Sequence, residues 1–309
     1  MQVNSEMSLN EIRRRASIMY VSLIRTNGNI RLLFIITSLI CAVMMGAGDF
    51  FGGQASKQSP VAVVGLITQL LGLFVVSSIV LFGAQSFAQT PFLYGIGAGL
   101  CGSVALIALY RGLAVGKVSI VAPVSAVLSA LIPVIVAVVT GHVFGGLTWI
   151  GIGSGLIAVY FLSLPSADET KAKEETGIFH AIIAGIALAF FYIMLGHAET
   201  HGNIWTLVGE RFSVVSVMLI VILFRRIKIT KTIPGLKLIL VAGATDVIGN
   251  FAFLYSASIG PLPMVAMISS LYPATTLFLG WIILKEKLNK RLVIGIVCAF
   301  VCIAIFAMP

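Results

Sequence analysis

LLFIITSLICAVMMGAGDFFGG, residues Leu32–Gly53, is an uncharged apolar run with one carboxylate, Asp49, near its end. A helix that crosses a bilayer needs about 20 mainly apolar residues, and this run supplies them. An aspartate at the centre of such a helix costs roughly 2.5–3.5 kcal/mol on insertion scales, so an intramembrane carboxylate marks a functional candidate with a partner. The glycines around it, Gly46, Gly48, Gly52 and Gly53, let neighbouring helices approach closely.

Outward from that run the same pattern repeats. The chain has 309 residues, 59% of them hydrophobic and 10% charged, against roughly 25% charged in an ordinary soluble domain. Ten apolar runs can be drawn, at about 32–52, 61–83, 92–113, 118–140, 147–164, 178–198, 204–224, 237–256, 262–284 and 291–308. The expectation is an all-α integral membrane protein of ten transmembrane helices. A β-barrel is excluded, because its strands are only about 9–11 residues long and alternate in polarity. The net charge of +9 comes from residues that flank the spans, so it reports orientation and gives no support to nucleic-acid binding. Cys41, Cys101, Cys298 and Cys302 lie inside apolar runs and read as small packing residues. His142, His180, His197 and His201 lie at or near helix ends without metal-ligand spacing, so neither a metal nor a cofactor is expected.

The strongest organisational feature is an internal repeat, found by sliding the chain on itself by about 143 positions. Gly53 falls on Gly196, Gln69 on Arg211, Gly116 on Gly260, Ser125 on Ser269, His142 on Glu286 and Gly151 on Gly295. Each copy holds five spans, an odd number, so the second copy enters the membrane from the opposite side and the two five-helix repeats are inverted. The expected boundaries are a basic amphipathic N-terminal segment at 1–31, the first repeat at 32–164, an inter-repeat loop at 165–177 and the second repeat at 178–309. In the N-terminal segment Ser8 and Glu11 are spaced as a helix capping box. Basic residues concentrate in the loops after odd-numbered spans, for example Lys57, Arg225, Arg226, Lys285 and Lys287, which by the positive-inside rule sets those loops in the cytoplasm and both termini outside. The arginines of the N-terminal segment oppose that count.

Polar residues inside the spans mark where chemistry would occur. The fourth span carries Ser125 and Ser129 beside Pro123 and Pro133, and the ninth carries Ser269-Ser270-Leu271-Tyr272-Pro273 at the matching place. Paired broken or kinked helices in two halves point to a transport site. The plainer reading is kinked helices whose hydroxyls bond back to their own turns. In the eighth span Asp246 and Asn250 share a face, four residues apart, and the seventh carries Glu210 and Arg211 about 100° apart. Asp246 with Arg211 is the expected pair, with a structural salt bridge as the bland alternative. Gln69, Tyr110, Tyr192 and Tyr272 complete the substrate or coupling candidates that begin with Asp49.

These residues resemble the drug/metabolite transporter superfamily, EamA type. The likeness rests on Gly46–Gly53, on the run Ala108–Ala126 (ALYRGLAVGKVSIVAPVSA), on Asp246 and Asn250, on Ser269–Pro273 and on Lys285-Glu286-Lys287-Leu288. It implies ten helices in two inverted repeats, no cofactor, and gradient-driven transport of small polar metabolites such as amino acids, sugars or related compounds, often outward. His142 departs from the acidic residue the pattern carries after the fourth span. The expectations that follow are a multi-pass protein of the plasma (inner) membrane, not an enzyme, with a small-molecule substrate, protons and the lipid bilayer as partners, and a homodimer. The competing readings are a Gly-x-Gly-Asp intramembrane aspartyl protease, with Asp49 and Asp246 as its dyad, and a lipid scramblase or non-transporting membrane protein.

Overall fold

The computed structural model describes residues 28–83, 86–115, 118–163, 177–197, 203–227, 232–284 and 290–308. Among them the chain is helical throughout, without a strand: α1 (Gly28–Ser56), α2 (Val61–Phe82), α3 (Gln89–Val115), α4 (Val118–Val139), α5 (Gly146–Ser163), α6 (Gly177–His197), α7 (Trp205–Phe224), α8 (Leu236–Ile259), α9 (Leu262–Ser269), α10 (Tyr272–Leu284) and α11 (Lys290–Ala307). Apolar runs of this length fold so because a bilayer offers no water to backbone N–H and C=O groups, and a helix satisfies them internally. Seven segments are long and apolar enough to cross a membrane, with α9 and α10 counted as one. Shorter apolar segments lie in α4, α5 and α11. The protein is a multi-pass membrane protein.

Turn chemistry sets the helix ends. Pro60 and Pro261 precede α2 and α9, where a missing N–H costs nothing. Gly141 takes φ +92° after α4, and there its N–H reaches Val138 O at 3.0 Å while His142 N–H reaches Ala137 O at 2.9 Å. The same closure ends α7, but with Arg226 at φ 50° in the left-handed position. Of the basic segment expected at 1–31, residues 1–27 lie outside the described residues. Gly28–Arg31 open α1, where buried Arg31 donates to the Met308 carbonyl. The inter-repeat loop expected at 165–177 also lies outside them, except for Gly177.

The two proline-bearing spans differ. The ninth is broken: Ser270 N–H bonds to Ala266 O at 2.9 Å and Leu271 N–H to Ile268 O at 3.1 Å, which ends α9, and α10 starts afresh at Tyr272. Pro273 thus sits in the first turn of a new helix, a position that needs no N–H. In contrast, α4 runs unbroken through Pro123 and Pro133. The break is therefore confined to the second half.

Several helix pairings recur when α1–α5 are exchanged with α6–α11. α1 packs on α8 as α6 packs on α3; α4 packs on α6 as α9 and α10 pack on α1; α2 pairs with α7 and α5 with α11, each with its own counterpart. At the last pairing Ser154 Oγ donates to Cys298 O at 2.7 Å. A core built on Phe34, Cys41, Val76, Tyr192, Leu195, Leu207, Phe253, Met267 and Ile268 joins helices of both halves. Outward, large apolar side chains such as Phe74, Leu81 and Phe300 are exposed, as a lipid-facing surface requires.

Candidate functional site

Three helices bring one polar cluster together. From α7, Arg211 donates to Gln69 Oε1 on α2 and to Asp246 Oδ2 on α8, and its Nε lies 3.0 Å from Glu210 Oε2. The Glu210 contact is a charge contact without hydrogen-bond alignment, since both atoms lack a hydrogen-bond partner. Asn250, one turn along α8, donates from Nδ2 to Asp246 O at 3.1 Å and to Asp246 Oδ1 at 3.3 Å. The side chains of Arg211 and Glu210 are 1% and 4% exposed, whereas that of Asp246 is 27% exposed. Asp246 is thus the face that this buried ion cluster turns to solvent.

Small residues make room for it. A Cβ on Gly72, one turn beyond Gln69, would lie 2.9 Å from Arg211 Nε, so Gln69 and Gly72 together cradle the guanidinium. On the other side of α7, Gly95 and Gly99 meet the backbone of Thr206 and Glu210, and Gly209 meets that of Phe92. Ser213 Oγ adds a bond to Ile96 O at 3.1 Å. Gly95 and Gly99, four residues apart on one face of α3, are where α3 and α7 approach closely, beside Glu210.

The Gly46–Gly53 stretch lies between α8 and α10. Gly46 faces Tyr272 O and Thr275, and Thr276 Oγ1 donates to Gly46 O at 3.0 Å. Gly48 faces Thr245 and Ala242. Both glycines therefore serve helix approach. Asp49 is exposed, on the stretch of α1 that faces α8 and α10. It lies within electrostatic reach of Asp246, Tyr192 and Tyr272, and it has no hydrogen-bond or ion-pair partner among the described residues.

The remaining candidates divide. Tyr192 is buried, stacks on Phe253 with centroids 5.0 Å apart and planes at 26°, and leaves its hydroxyl unpartnered. Ser269 and Ser270, at the break between α9 and α10, are buried with unpartnered hydroxyls. Tyr272 is half-buried at the start of α10. Ser129 instead turns back to Ala126 O at 2.8 Å, the plainer of its two readings, and Ser125 is buried. The side chains of Tyr110 and Pro123 lie outside the described residues. No hydrogen bond joins Asp49 to Asp246, whose oxygens are turned to Arg211 and Asn250, so this arrangement is not a carboxylate dyad sharing a proton. Among the described residues no group of His, Cys, Asp or Glu is placed to hold a metal.

Several participants carried no mark in the sequence reading. Gly72 and Phe253 are two. Ser38 and Ser256 are others, joined Oγ to Oγ at 2.5 Å, with Ser256 also donating to Phe34 O at 2.8 Å to tie α1 to α8. Gly72 had a readable cue, one turn from Gln69; the serines had none.

Residues 175–308, which span α6 to α11, match the EamA-like transporter family. A solved structure described only as "Crystal structure of protein" superposes with a TM-score of 0.74 over 91% of this chain and 96% of its own, at 13% sequence identity, which is a likeness of fold. The search of curated proteins found no match.

Proposed function

We propose, from the premise that residues 175–308 form an EamA-like transporter domain, that this protein is a secondary transporter of small polar metabolites such as amino acids, sugars or related compounds. It works outward across the plasma membrane by alternating access, its two five-helix halves lying inverted in the bilayer. The observation that carries this reading is a polar site inside an apolar helical protein, at contacts between the halves: Gln69 of the first half on Arg211 of the second, with Asp246 and Asn250 beside them. Charges at such depth are costly and mark ion or substrate paths. Helices of the two halves pair with one another, α1 on α8 and α6 on α3, so the rocking units of this scheme would be drawn from both halves.

In this scheme Asp49 on α1 is the accessible carboxylate and takes a proton or a positively charged group from the solute. Arg211 balances Asp246 and Glu210 throughout the cycle. Asp246, solvated on one side and paired on the other, couples the opening to the buried cluster. The break between α9 and α10 lets the second half flex beside Gly46 without losing helix hydrogen bonds.

The test has two arms. A metabolite screen that compares overexpressing with deletion cells should show depletion of one class of small solute inside the overexpressing cells. Proteoliposomes loaded with that solute should release it faster when a pH gradient is imposed, and Asp49→Asn and Asp246→Asn should each slow release. Flux indifferent to the gradient and to both substitutions would remove proton coupling from the scheme; no flux of any solute would remove transport.

A further inference from the structure

We infer that Asp49, Asn250 and Tyr192 border a subsite for an organic ammonium group, so that the ligand of this protein is a cationic amine and not a zwitterion or an anion. The inference rests on the transporter reading for its physiological sense but has its own physical basis.

Charge balance comes first. The described residues hold three carboxylates, Asp49, Glu210 and Asp246, and all three lie within helices, inside electrostatic reach of one another through Asp246. Arg211 is the one cation among the described side chains that stands away from a helix end. Its charge is already matched: Asp246 and Glu210 both lie against it, with Gln69 beside them, and it is buried. The described side chains of the site thus hold more acidic groups than cations, and Asp49 is the carboxylate without a partner. Among the described residues the site offers no cation other than Arg211 to receive a ligand carboxylate.

The second observation is the kind of group left unpartnered. Asn250 is 3% exposed and commits its Nδ2 to Asp246, so its Oδ1, which can only accept, has no donor. The Tyr192 hydroxyl, on a ring 1% exposed, has no partner and lies within electrostatic reach of Asp49 and Tyr272. Phe253, on which that ring stacks, is one turn from Asn250. Buried polar groups are normally satisfied, so these ask for a ligand. An ammonium group presents three N–H donors, no acceptor and a positive charge, which complements a carboxylate, an amide oxygen and a hydroxyl. A sugar would meet the hydroxyl and amide but leave the charge uncompensated; an amino acid would bring a carboxylate with nowhere to dock.

Two matched pairs of probes, cadaverine with lysine and tyramine with tyrosine, differ within each pair by one carboxylate. Equilibrium binding of each radiolabelled probe to the purified full-length protein in detergent should favour the amine at least roughly ten-fold over its carboxylated partner in one or both pairs. Asp49→Asn should weaken the amine at least about ten-fold, Asp49→Glu should restore most of the affinity, and Tyr192→Phe should cost a few-fold. Thermal unfolding of each variant establishes that it is folded. Failure of the wild type to bind either amine, equal affinity within both pairs, or a folded Asp49→Asn variant with unchanged amine affinity would each overturn the inference. The same preparations in proteoliposomes separate the two proposals. Amine binding that depends on Asp49 but gives no flux supports the subsite and defeats transport, whereas flux of amino acids or sugars with no amine preference supports transport and overturns the subsite.

Discussion

At the scale of single residues the protein turns on Arg211. Removing one partner of a buried, hydrogen-bonded charge cluster costs about 3–5 kcal/mol, because the charges left behind have neither water nor a counter-ion. Arg211→Leu, which strands Glu210 and Asp246 together, should therefore lower the unfolding midpoint in detergent far more than Asp49→Asn, which breaks no contact. Arg226 offers the opposite case. Its left-handed backbone at φ 50° costs a non-glycine residue about 1–2 kcal/mol, so Arg226→Gly should raise thermal stability, by about 0.5–1 kcal/mol after glycine's entropy is deducted. The pairing of Asp246 with Arg211 was legible in the sequence, since a carboxylate and a cation within apolar runs must find each other. The stacking of Tyr192 on Phe253 was not. Which face of α6 meets which face of α8 is settled by packing between helices, and an all-round apolar helix does not reveal it.

At the scale of elements the apolar, helical character was plain from hydropathy, though of the ten runs drawn seven described segments are long and apolar enough to cross a membrane, and the closely approaching glycine face of α3 could be read from its four-residue spacing. Broken or kinked helices were expected at the matching prolines, and the structure breaks the span that carries Pro273. There α9 ends at Ser269, before the proline is reached, and Pro273 takes the first turn of α10, whereas Pro123 and Pro133 lie within α4, which continues past them. Prolines and serines stand in both places, and at the broken one Gly46 of α1 lies against the Tyr272 carbonyl and Thr275. Contact between α3 and α7 should prove the more fragile joint. A side chain at Gly99 would collide with the Glu210 carbonyl and Ser213, and overpacking of this kind costs typically about 1–3 kcal/mol. Gly99→Val should lower the melting temperature and, by displacing α7, also weaken flux, whereas Gly153→Ala, which meets open space, should do neither.

At the scale of the whole molecule several helix pairings recur between the halves, while the chemistry does not. The shift of about 143 positions already matched Gln69 to Arg211, and the structure shows these two counterparts in direct contact, on the element pair that maps onto itself. Gln69→Arg should then be severely destabilising, as it sets guanidinium against guanidinium in a buried site, while Gln69→Glu should fold, its carboxylate accepting from Arg211 where the amide oxygen does now. A melting temperature for Gln69→Arg equal to that of the wild type would show that this contact does not fix the join. The contact also bears on the seam between α2 and α7. Two arginines meeting there would set cation against cation with no water to screen them, so it is the inequality of the partners, a neutral amide against a guanidinium, that lets a single charge sit at the middle of the seam.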